Sequence, residues 1–141
     1  MGRVDVQVAI ALGSNLGNRE VHLEQAVQEL RAILTDLRVS SFINTKPVGV
    51  FEPQPDYLNA VAVGRTTLTP RELLNALLAI ERAHARERVS RNAARTLDLD
   101  LILYGDQTID EPGLQVPHPR FRERDFVMGP LREIAPELID R

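Results

Sequence analysis

The stretch RTLDLDLILY, residues 95–104, decides how the rest of the chain is interpreted, because it alternates with the period of a β-strand. Successive side chains of a strand point to opposite faces, so the leucines are predicted on one face and Asp98, Asp100 and Tyr104 on the other. The two carboxylates would lie about 7 Å apart along the strand. Burying them unpaired would be costly. This face is therefore predicted either to meet water, as on an edge strand, or to meet positive charge.

The segment before this strand is strongly cationic. Between residues 82 and 95 there is one acid, Glu87, and there are five arginines: Arg82, Arg86, Arg88, Arg91 and Arg95. They can be solvated side chains of a helix end and a surface loop. Guanidinium groups also suit phosphate oxygens, and carboxylates suit hard divalent cations. Next to the aspartate pair, the arginines favour a site for Mg²⁺ and a polyphosphate.

The composition indicates an ordinary globular protein. The chain has 141 residues, 43% hydrophobic and 26% charged, and we expect a single domain, residues 1–141. Its formal net charge of −3 argues against nucleic acid as a partner. The absence of cysteine excludes disulfides and thiol catalysis. No apolar run is long enough for a membrane span and no export signal is evident, so we expect a cytoplasmic monomer that does not bind membranes.

The hydrophobic pattern predicts the order β-α-β-β-α-β, which is the ferredoxin-like arrangement of an α/β (α+β) protein. The strands are predicted at Val6–Leu12, Leu37–Thr45, Tyr57–Thr67 and residues 95–104. One helix follows an Asn18 cap, and the second begins with the Thr69-Pro70-Arg71-Glu72 capping box. We expect an antiparallel sheet with both helices on one face and the first and fourth strands as central neighbours. A hairpin around Glu111-Pro112-Gly113 and a short helix, Leu131–Ala135, are predicted to follow, with Pro130 in the first turn of that helix.

Three further features have both a structural and a functional interpretation. Residues 13–17, GSNLG, follow a strand and precede a helix, but their spacing fits a tight turn better than a phosphate loop. His118 lies between two prolines, which fix its direction. Tyr57, Asn59 and Phe126 are either core residues or an aromatic slot with an amide for a flat heterocycle.

Several motifs occur together in one order along nearly the whole chain. They are GSNLG at 13–17, QPDYLN at 54–59, RTLDLD at 95–100, PHPR at 117–120 and RDFV at 124–127. Together they resemble the 6-hydroxymethyl-7,8-dihydropterin pyrophosphokinase family of folate biosynthesis. The chain departs from the family pattern at Asn92-Ala93-Ala94, where Trp-Gly-Pro is common.

The resemblance implies that the hydroxymethyl oxygen of the pterin attacks the β-phosphorus of ATP and that AMP leaves. It implies two Mg²⁺ ions bound by Asp98 and Asp100. The other matched residues are Arg86 and Arg95 as loop arginines that stabilise charge during transfer; Arg88, Leu101, His118 and Arg124 as ATP contacts; Thr45, the Val48 backbone, Tyr57, Asn59 and Phe126 as pterin contacts; and Glu81 as a supporting acid.

Two other functions remain open on the sequence. A non-enzymatic ligand-binding or regulatory module of the same fold would not need paired carboxylates. Another nucleotidyl- or phosphoryl-transferase could use the same metal site and would form a different product.

Overall fold

The structure is a computed structural model that describes residues 4–46, 56–84 and 97–139. Its elements in chain order are β1 (Val6–Ser14), α1 (Arg19–Arg31), β2 (Thr35–Val39), β3 (Ile43–Thr45), β4 (Tyr57–Thr66), α2 (Pro70–His84), β5 (Asp98–Tyr104), β6 (Ile109–Glu111), β7 (Leu114–Val116), a 3-10 turn (Phe121–Glu123), α3 (Asp125–Ile134) and a second 3-10 turn (Pro136–Leu138). None of the helices among these residues is both long enough and apolar enough to cross a membrane.

The antiparallel sheet confirms the ferredoxin-like prediction. Its strand order is β2-β4-β1-β5, and the short β3 also pairs with β4. The first and fourth predicted strands, β1 and β5, are neighbours as expected. Their expected central position is wrong for β5, because among the described residues β1 and β4 form the inner pair and β5 lies at an edge. β4 takes this place because it pairs with β1 over the whole of β1 and still offers its other side to β2 and β3.

Both predicted helix starts are confirmed by their caps. The Asn18 side chain accepts a hydrogen bond from the Val21 N–H. At α2 the Thr69 N–H donates to Glu72 and the Glu72 N–H donates to the Thr69 hydroxyl, at 2.9 and 3.1 Å. The buried residues of α1 and α2 pack in one cluster with alternate residues of β1 and β4. Both helices therefore cover one face of the sheet, which we call the helix face.

The opposite face is covered by α3, which corrects the predicted helix Leu131–Ala135. α3 begins at Asp125, so Pro130 lies inside it instead of in its first turn. A proline inside a helix costs about 3 kcal/mol. Val127, Met128 and Leu131 offset this cost, since each is at most 9% exposed and burying such a side chain contributes about 1.5–3 kcal/mol. The C-terminal hairpin is found where it was predicted.

The predicted second strand, Leu37–Thr45, is divided into β2 and β3 by Ser40. The Ser40 N–H donates to the Val61 carbonyl, and the Ser40 hydroxyl accepts from the Val61 N–H, both at 2.9 Å. A side chain thus replaces the backbone carbonyl in the ladder, and the chain leaves the sheet there. The predicted turn at residues 13–17 is also shorter, because Gly13 and Ser14 still belong to β1.

A bulge in β5 breaks the predicted alternation. Ala9 pairs with Leu103 whereas Ile10 pairs with Leu101, so β5 holds one extra residue, Ile102, against β1. Ile102 and Leu103 consequently both pack on the α3 side, while Tyr104 packs in the helix-face cluster. The prediction that Leu103 shares a face with the earlier leucines, and Tyr104 with the aspartates, is wrong. The alternation holds from Leu97 to Leu101.

Candidate active site

A cleft of about 760 Å³ opens on the α3 side of the sheet, beyond the end of α3 that carries Phe126. Asp98 and Asp100 both line it. In the β1–β5 ladder Asp98 lies opposite Gly13 and Asp100 lies opposite Ala11, and these two small residues also line the cleft. Small side chains on β1 therefore leave open space beside both carboxylates.

Glu81 holds the edge strand between the two aspartates. Its Oε2 accepts a hydrogen bond of 2.7 Å from the Leu99 N–H. A charged acceptor makes this bond stronger than a neutral pair would. The contact fixes β5 against α2 at the residue between Asp98 and Asp100. The role expected for Glu81, support of the site, stays a prediction, and this contact is a means by which it can act.

The pair of aspartates offers part of a ligand set for Mg²⁺. Carboxylate oxygens are the donors that Mg²⁺ prefers, and this ion usually keeps water and substrate phosphate among its ligands. No three His, Asp or Glu side chains come together as a metal-binding group in the parts of the chain that the structure describes. Two carboxylates on one strand suit an ion that takes further ligands from water and phosphate.

The predicted heterocycle residues meet in the same cleft. Tyr57, Asn59 and Thr45 reach it from neighbouring ends of β4 and β3, and Phe126 reaches it from α3. The Asn59 side-chain amide donates to the Thr45 hydroxyl at 2.5 Å, and Asn59 is 6% exposed. This bond leaves the Asn59 carbonyl oxygen as an acceptor and the Thr45 hydroxyl hydrogen as a donor, which is a pattern that an amide-like ring edge can match.

Gly13 forms the floor of this part of the cleft. A Cβ atom at Gly13 would lie 3.1 Å from Asn59 Oδ1 and 3.5 Å from Tyr57 Cδ1. The first distance is tighter than ordinary van der Waals contact. Any side chain at this position would fill space between Tyr57 and Asn59. The sequence interpretation of residues 13–17 as a turn did not assign Gly13 to the cleft, although a glycine at the end of a strand can signal a close approach.

Leu101 and His118 line a second pocket of about 250 Å³, which shares Asp100 with the larger cleft. The His118 N–H donates to the Ile102 carbonyl at 2.9 Å, and its Nδ1 accepts from the Arg120 N–H at 3.3 Å. Burial lowers the pKa of His118 below its usual value; the Asp100 charge opposes this effect and the Arg124 charge adds to it. The imidazole is therefore neutral at pH 7, with its proton on Nε2.

Arg124 lies with Tyr57, Asn59 and Phe126 instead of in the smaller pocket. It lines the larger cleft, and its guanidinium carbon is 5.7 Å from the centre of the Phe126 ring, within cation–π range. Four of the predicted site residues lie outside the described residues: Val48, Arg86, Arg88 and Arg95. The larger cleft also has charged lining residues that the sequence interpretation did not assign to a site: Lys46, Arg120, Glu123 and Asp125.

Comparisons with known proteins show which family the chain belongs to. The model of the 7,8-dihydro-6-hydroxymethylpterin-pyrophosphokinase family matches residues 9–136. A protein of Bacillus subtilis named 2-amino-4-hydroxy-6-hydroxymethyldihydropteridine pyrophosphokinase is 45% identical over 92% of this chain and 78% of its own length. Proteins of the same name from Haemophilus influenzae and Synechocystis are each 42% identical, over 92% and 93% of this chain and 82% and 67% of their own lengths. This chain therefore belongs to the 7,8-dihydro-6-hydroxymethylpterin-pyrophosphokinase family.

Proposed function

We propose that this chain transfers pyrophosphate from ATP to the hydroxymethyl group of 6-hydroxymethyl-7,8-dihydropterin, releasing AMP, as a step of folate biosynthesis. The observation that carries the proposal is the position of Asp98 and Asp100 on the wall of the cleft that also contains Tyr57, Asn59 and Phe126. This arrangement puts a site for metal and phosphate beside a slot for a flat ring.

The slot residues are suited to hold a pterin. Tyr57 and Phe126 offer aromatic rings from two different elements, β4 and α3, and a pterin ring can stack on them. The Asn59 carbonyl oxygen and the Thr45 hydroxyl hydrogen are an acceptor and a donor next to each other. Together they can read the polar edge of the pterin, and the Val48 backbone is proposed as a further partner.

The phosphate side of the cleft is suited to hold ATP. Asp98 and Asp100 would hold Mg²⁺, for which two ions are proposed, and the metal would neutralise triphosphate charge and assist in-line displacement. The neutral His118 can donate from Nε2 to ATP, and Leu101 offers an apolar contact to the adenine. Arg124 is proposed to hold ATP from the larger cleft, Arg88 is proposed as a further contact, and Arg86 and Arg95 are proposed to stabilise charge during transfer.

The reaction is a single displacement. The alcohol oxygen of the pterin forms a bond to the β-phosphorus, the bond from that phosphorus to the oxygen shared with the α-phosphate breaks, and AMP leaves with that oxygen. The alcohol proton is lost to solvent. Catalysis of such a transfer consists mainly of positioning and charge stabilisation, which is what a ring slot next to a carboxylate pair supplies.

The test is to incubate the protein with ATP, Mg²⁺ and hydroxymethyldihydropterin and to follow the nucleotides by chromatography. We expect AMP and a pyrophosphorylated pterin in equal amounts. A dihydropterin with a methyl group in place of the hydroxymethyl group is the matched control, and it should give no AMP. Formation of ADP would favour a different phosphoryl transferase, and binding without turnover would favour a ligand-binding module; either result would overturn the proposal.

We further propose that one domain, residues 1–141, acts as a monomer in the cytoplasm without nucleic acid or membrane as a partner. Size-exclusion chromatography with light scattering tests the oligomeric state, and a mass of twice 15.8 kDa would contradict it.

A further inference from the structure

A hydrogen-bond network joins three distant segments of the chain just outside the pterin side of the cleft. Arg19, the first residue of α1, donates from Nη1 to the Asn44 side-chain oxygen at 2.6 Å and to the Asp56 carbonyl at 2.7 Å. The Asn44 amide donates to the Asp56 carboxylate at 2.8 Å. The three residues therefore form a closed triangle, which we call the Arg19 network.

The network borders the residues that form the slot. Asn44 directly precedes Thr45, and Asp56 directly precedes Tyr57. Thr45 pairs with Tyr57 as the last pair of the β3–β4 ladder, and both line the cleft. Beyond this pair no ladder bond between β3 and β4 is found among the described residues. The Arg19 network joins Asp56, the residue just beyond this pair, to Asn44 within the ladder and to the start of α1, and it thereby braces the end of the strand pair.

The arginine side chain of Arg19 is well suited to fix the relative positions of Asn44 and Asp56. Its guanidinium group is planar and carries several donors in fixed directions, so a single nitrogen that contacts two acceptors defines their relative position. The residue is half-buried, and it does not line the cleft itself. Its effect on a ligand in the cleft is therefore indirect, and among the described residues Thr45 and Tyr57 are the network's neighbours that line the cleft.

We propose that Arg19 is a positioning residue for the pterin substrate, which sets the spacing of Thr45 and Tyr57 at the entrance of the slot. The inference rests on the proposed function, because it names the substrate that the slot holds. It concerns the pterin side alone: Asp98, Asp100 and His118 belong to β5 and the segment after β7, which the network does not touch.

The chain offers a matched control at the opposite end of β4. Arg65 donates from Nε to the Asp5 carboxylate at 2.9 Å and from Nη2 to the Asp5 carbonyl at 3.2 Å. It therefore joins two segments with the same kind of bonds as Arg19, but far along the strand from the slot. Arg19→Met and Arg65→Met remove comparable contacts. A difference in pterin KM between the two variants therefore reflects where the arginine lies and not a general loss of stability.

Steady-state kinetics with each substrate varied in turn tests the inference. We expect Arg19→Met to raise the KM for the pterin about tenfold, equal to about 1.4 kcal/mol, with the KM for ATP within about twofold of the wild type. Arg19→Lys, which keeps one charge-assisted bond, should recover part of the loss. Arg65→Met should leave both KM values unchanged. Its melting temperature should fall by about as much as that of Arg19→Met.

Asn44→Leu provides a second approach, because Asn44 is an exposed residue whose replacement leaves Arg19 and the core in place. It should raise the pterin KM as Arg19→Met does, and the double variant should show no further increase. If the wild type forms AMP but Arg19→Met and Asn44→Leu keep the wild-type pterin KM, the inference is wrong and the proposed function stands. If the wild type forms no pterin-dependent AMP, both are wrong.

Discussion

The two faces of the sheet differ in how far their packing extends along the same strands. On the helix face, β1 presents large apolar side chains along its length: Val8, Ile10 and Leu12, each at most 2% exposed. From Ala9 to Gly13, the α3 face of the same strand carries small residues: Ala9, Ala11 and Gly13. The helix face is therefore a continuous core, whereas the α3 face is packed at one end and open at the other.

Because of this difference, one sheet can support both stability and binding. α3 covers the end of its face where β4 carries Val61 and Val63. At the other end β4 carries Asn59 and Tyr57, and β5 carries Asp100 and Asp98. The packed helix face holds the strands in place, so the open end can keep polar groups at fixed positions without burying them fully.

The strongest test of the open end is removal of one carboxylate. Asp98→Asn and Asp100→Asn should each reduce turnover by about a thousandfold, equal to about 4 kcal/mol of activation free energy, since each removes a charge that would hold the metal. The fold should remain, because an exposed or half-buried surface substitution changes stability by about 0.5 kcal/mol or less. Turnover at saturating Mg²⁺ and thermal unfolding are the measurements.

Asp110→Asn is the control for the carboxylate variants. Asp110 lies on the exposed β6–β7 hairpin and bonds Gln115, so its replacement removes the same charge away from the cleft. It should keep wild-type turnover. Near-normal activity of Asp98→Asn or Asp100→Asn would show that the replaced aspartate is not a required metal ligand.

The packed regions of the two faces can be compared by truncating one leucine on each. Leu131 in α3 is 0% exposed and Leu77 in α2 is 1% exposed. Leu131→Ala and Leu77→Ala should each lower the free energy of unfolding by about 3 kcal/mol, the usual cost of a buried leucine cavity. Only Leu131→Ala should also weaken pterin binding, because α3 carries Phe126.

Urea unfolding measures the stability of the leucine variants, and quenching of tyrosine emission measures binding. The chain has two tyrosines and no tryptophan. Tyr57 lines the cleft, whereas Tyr104 is buried and donates to the Leu68 carbonyl. If Leu77→Ala weakens pterin binding as much as Leu131→Ala does, the slot depends on packing on both faces of the sheet, which contradicts the expected difference.

A smaller change tests the floor of the open end. Gly13→Ala should weaken pterin binding about tenfold, equal to about 1.4 kcal/mol, since the new Cβ would lie 3.1 Å from Asn59 Oδ1. Gly129→Ala is the control, because no atom lies within 4 Å of its Cβ position in α3. It should keep binding and stabilise the helix by about 0.5–1 kcal/mol. Unchanged pterin affinity in Gly13→Ala would mean that the slot does not reach Gly13.

The smallest expected effect is on pH dependence. The pKa of His118 is lower in the folded protein than its unfolded value of about 6.5, chiefly through burial. At pH values between the folded and unfolded pKa, the unfolded chain binds more protons than the folded protein. The contribution of His118 to the free energy of unfolding is therefore fully present above pH 6.5 and is lost as the pH falls toward the folded pKa. His118→Gln should remove this part of the pH dependence of unfolding.

Nuclear magnetic resonance titration of His118 separates the causes of its shift. The pKa of His118 should fall further in Asp100→Asn, because that carboxylate raises it, and should rise in Arg124→Gln, because that guanidinium group lowers it. No change in either variant would mean that His118 is not electrostatically coupled to the cleft.

The sequence predicts the features that depend on short-range chemistry. The Asn18 cap and the Thr69–Glu72 capping box need only residues within one turn, and both are confirmed. The spacing of Asp98 and Asp100 places both on one face because the strand is regular between them. The likeness of several motifs to one family named part of the cleft lining: Thr45, Tyr57, Asn59, Asp98, Asp100, Arg124 and Phe126.

The features that the sequence did not predict depend on contacts between distant segments. Ser40 interrupts a strand because it bonds Val61, and Ile102 bulges because β1 fixes the register on both sides of it. The sequence predicts Pro130 in the first turn of a helix, because no local signal shows that Val127 and Met128 pack against a sheet. Arg19 joins residues 25 and 37 positions away, which no local pattern reports.

The bulge at Ile102 separates the orientation of the two halves of β5. In a regular strand, gaining or losing one residue reverses the direction of every side chain beyond the change. β5 already absorbs one extra residue between its carboxylate half and its Tyr104 half. Because the bulge takes up this residue, the two halves of β5 serve different faces: Asp98 and Asp100 face the cleft, while Tyr104 packs in the helix-face core.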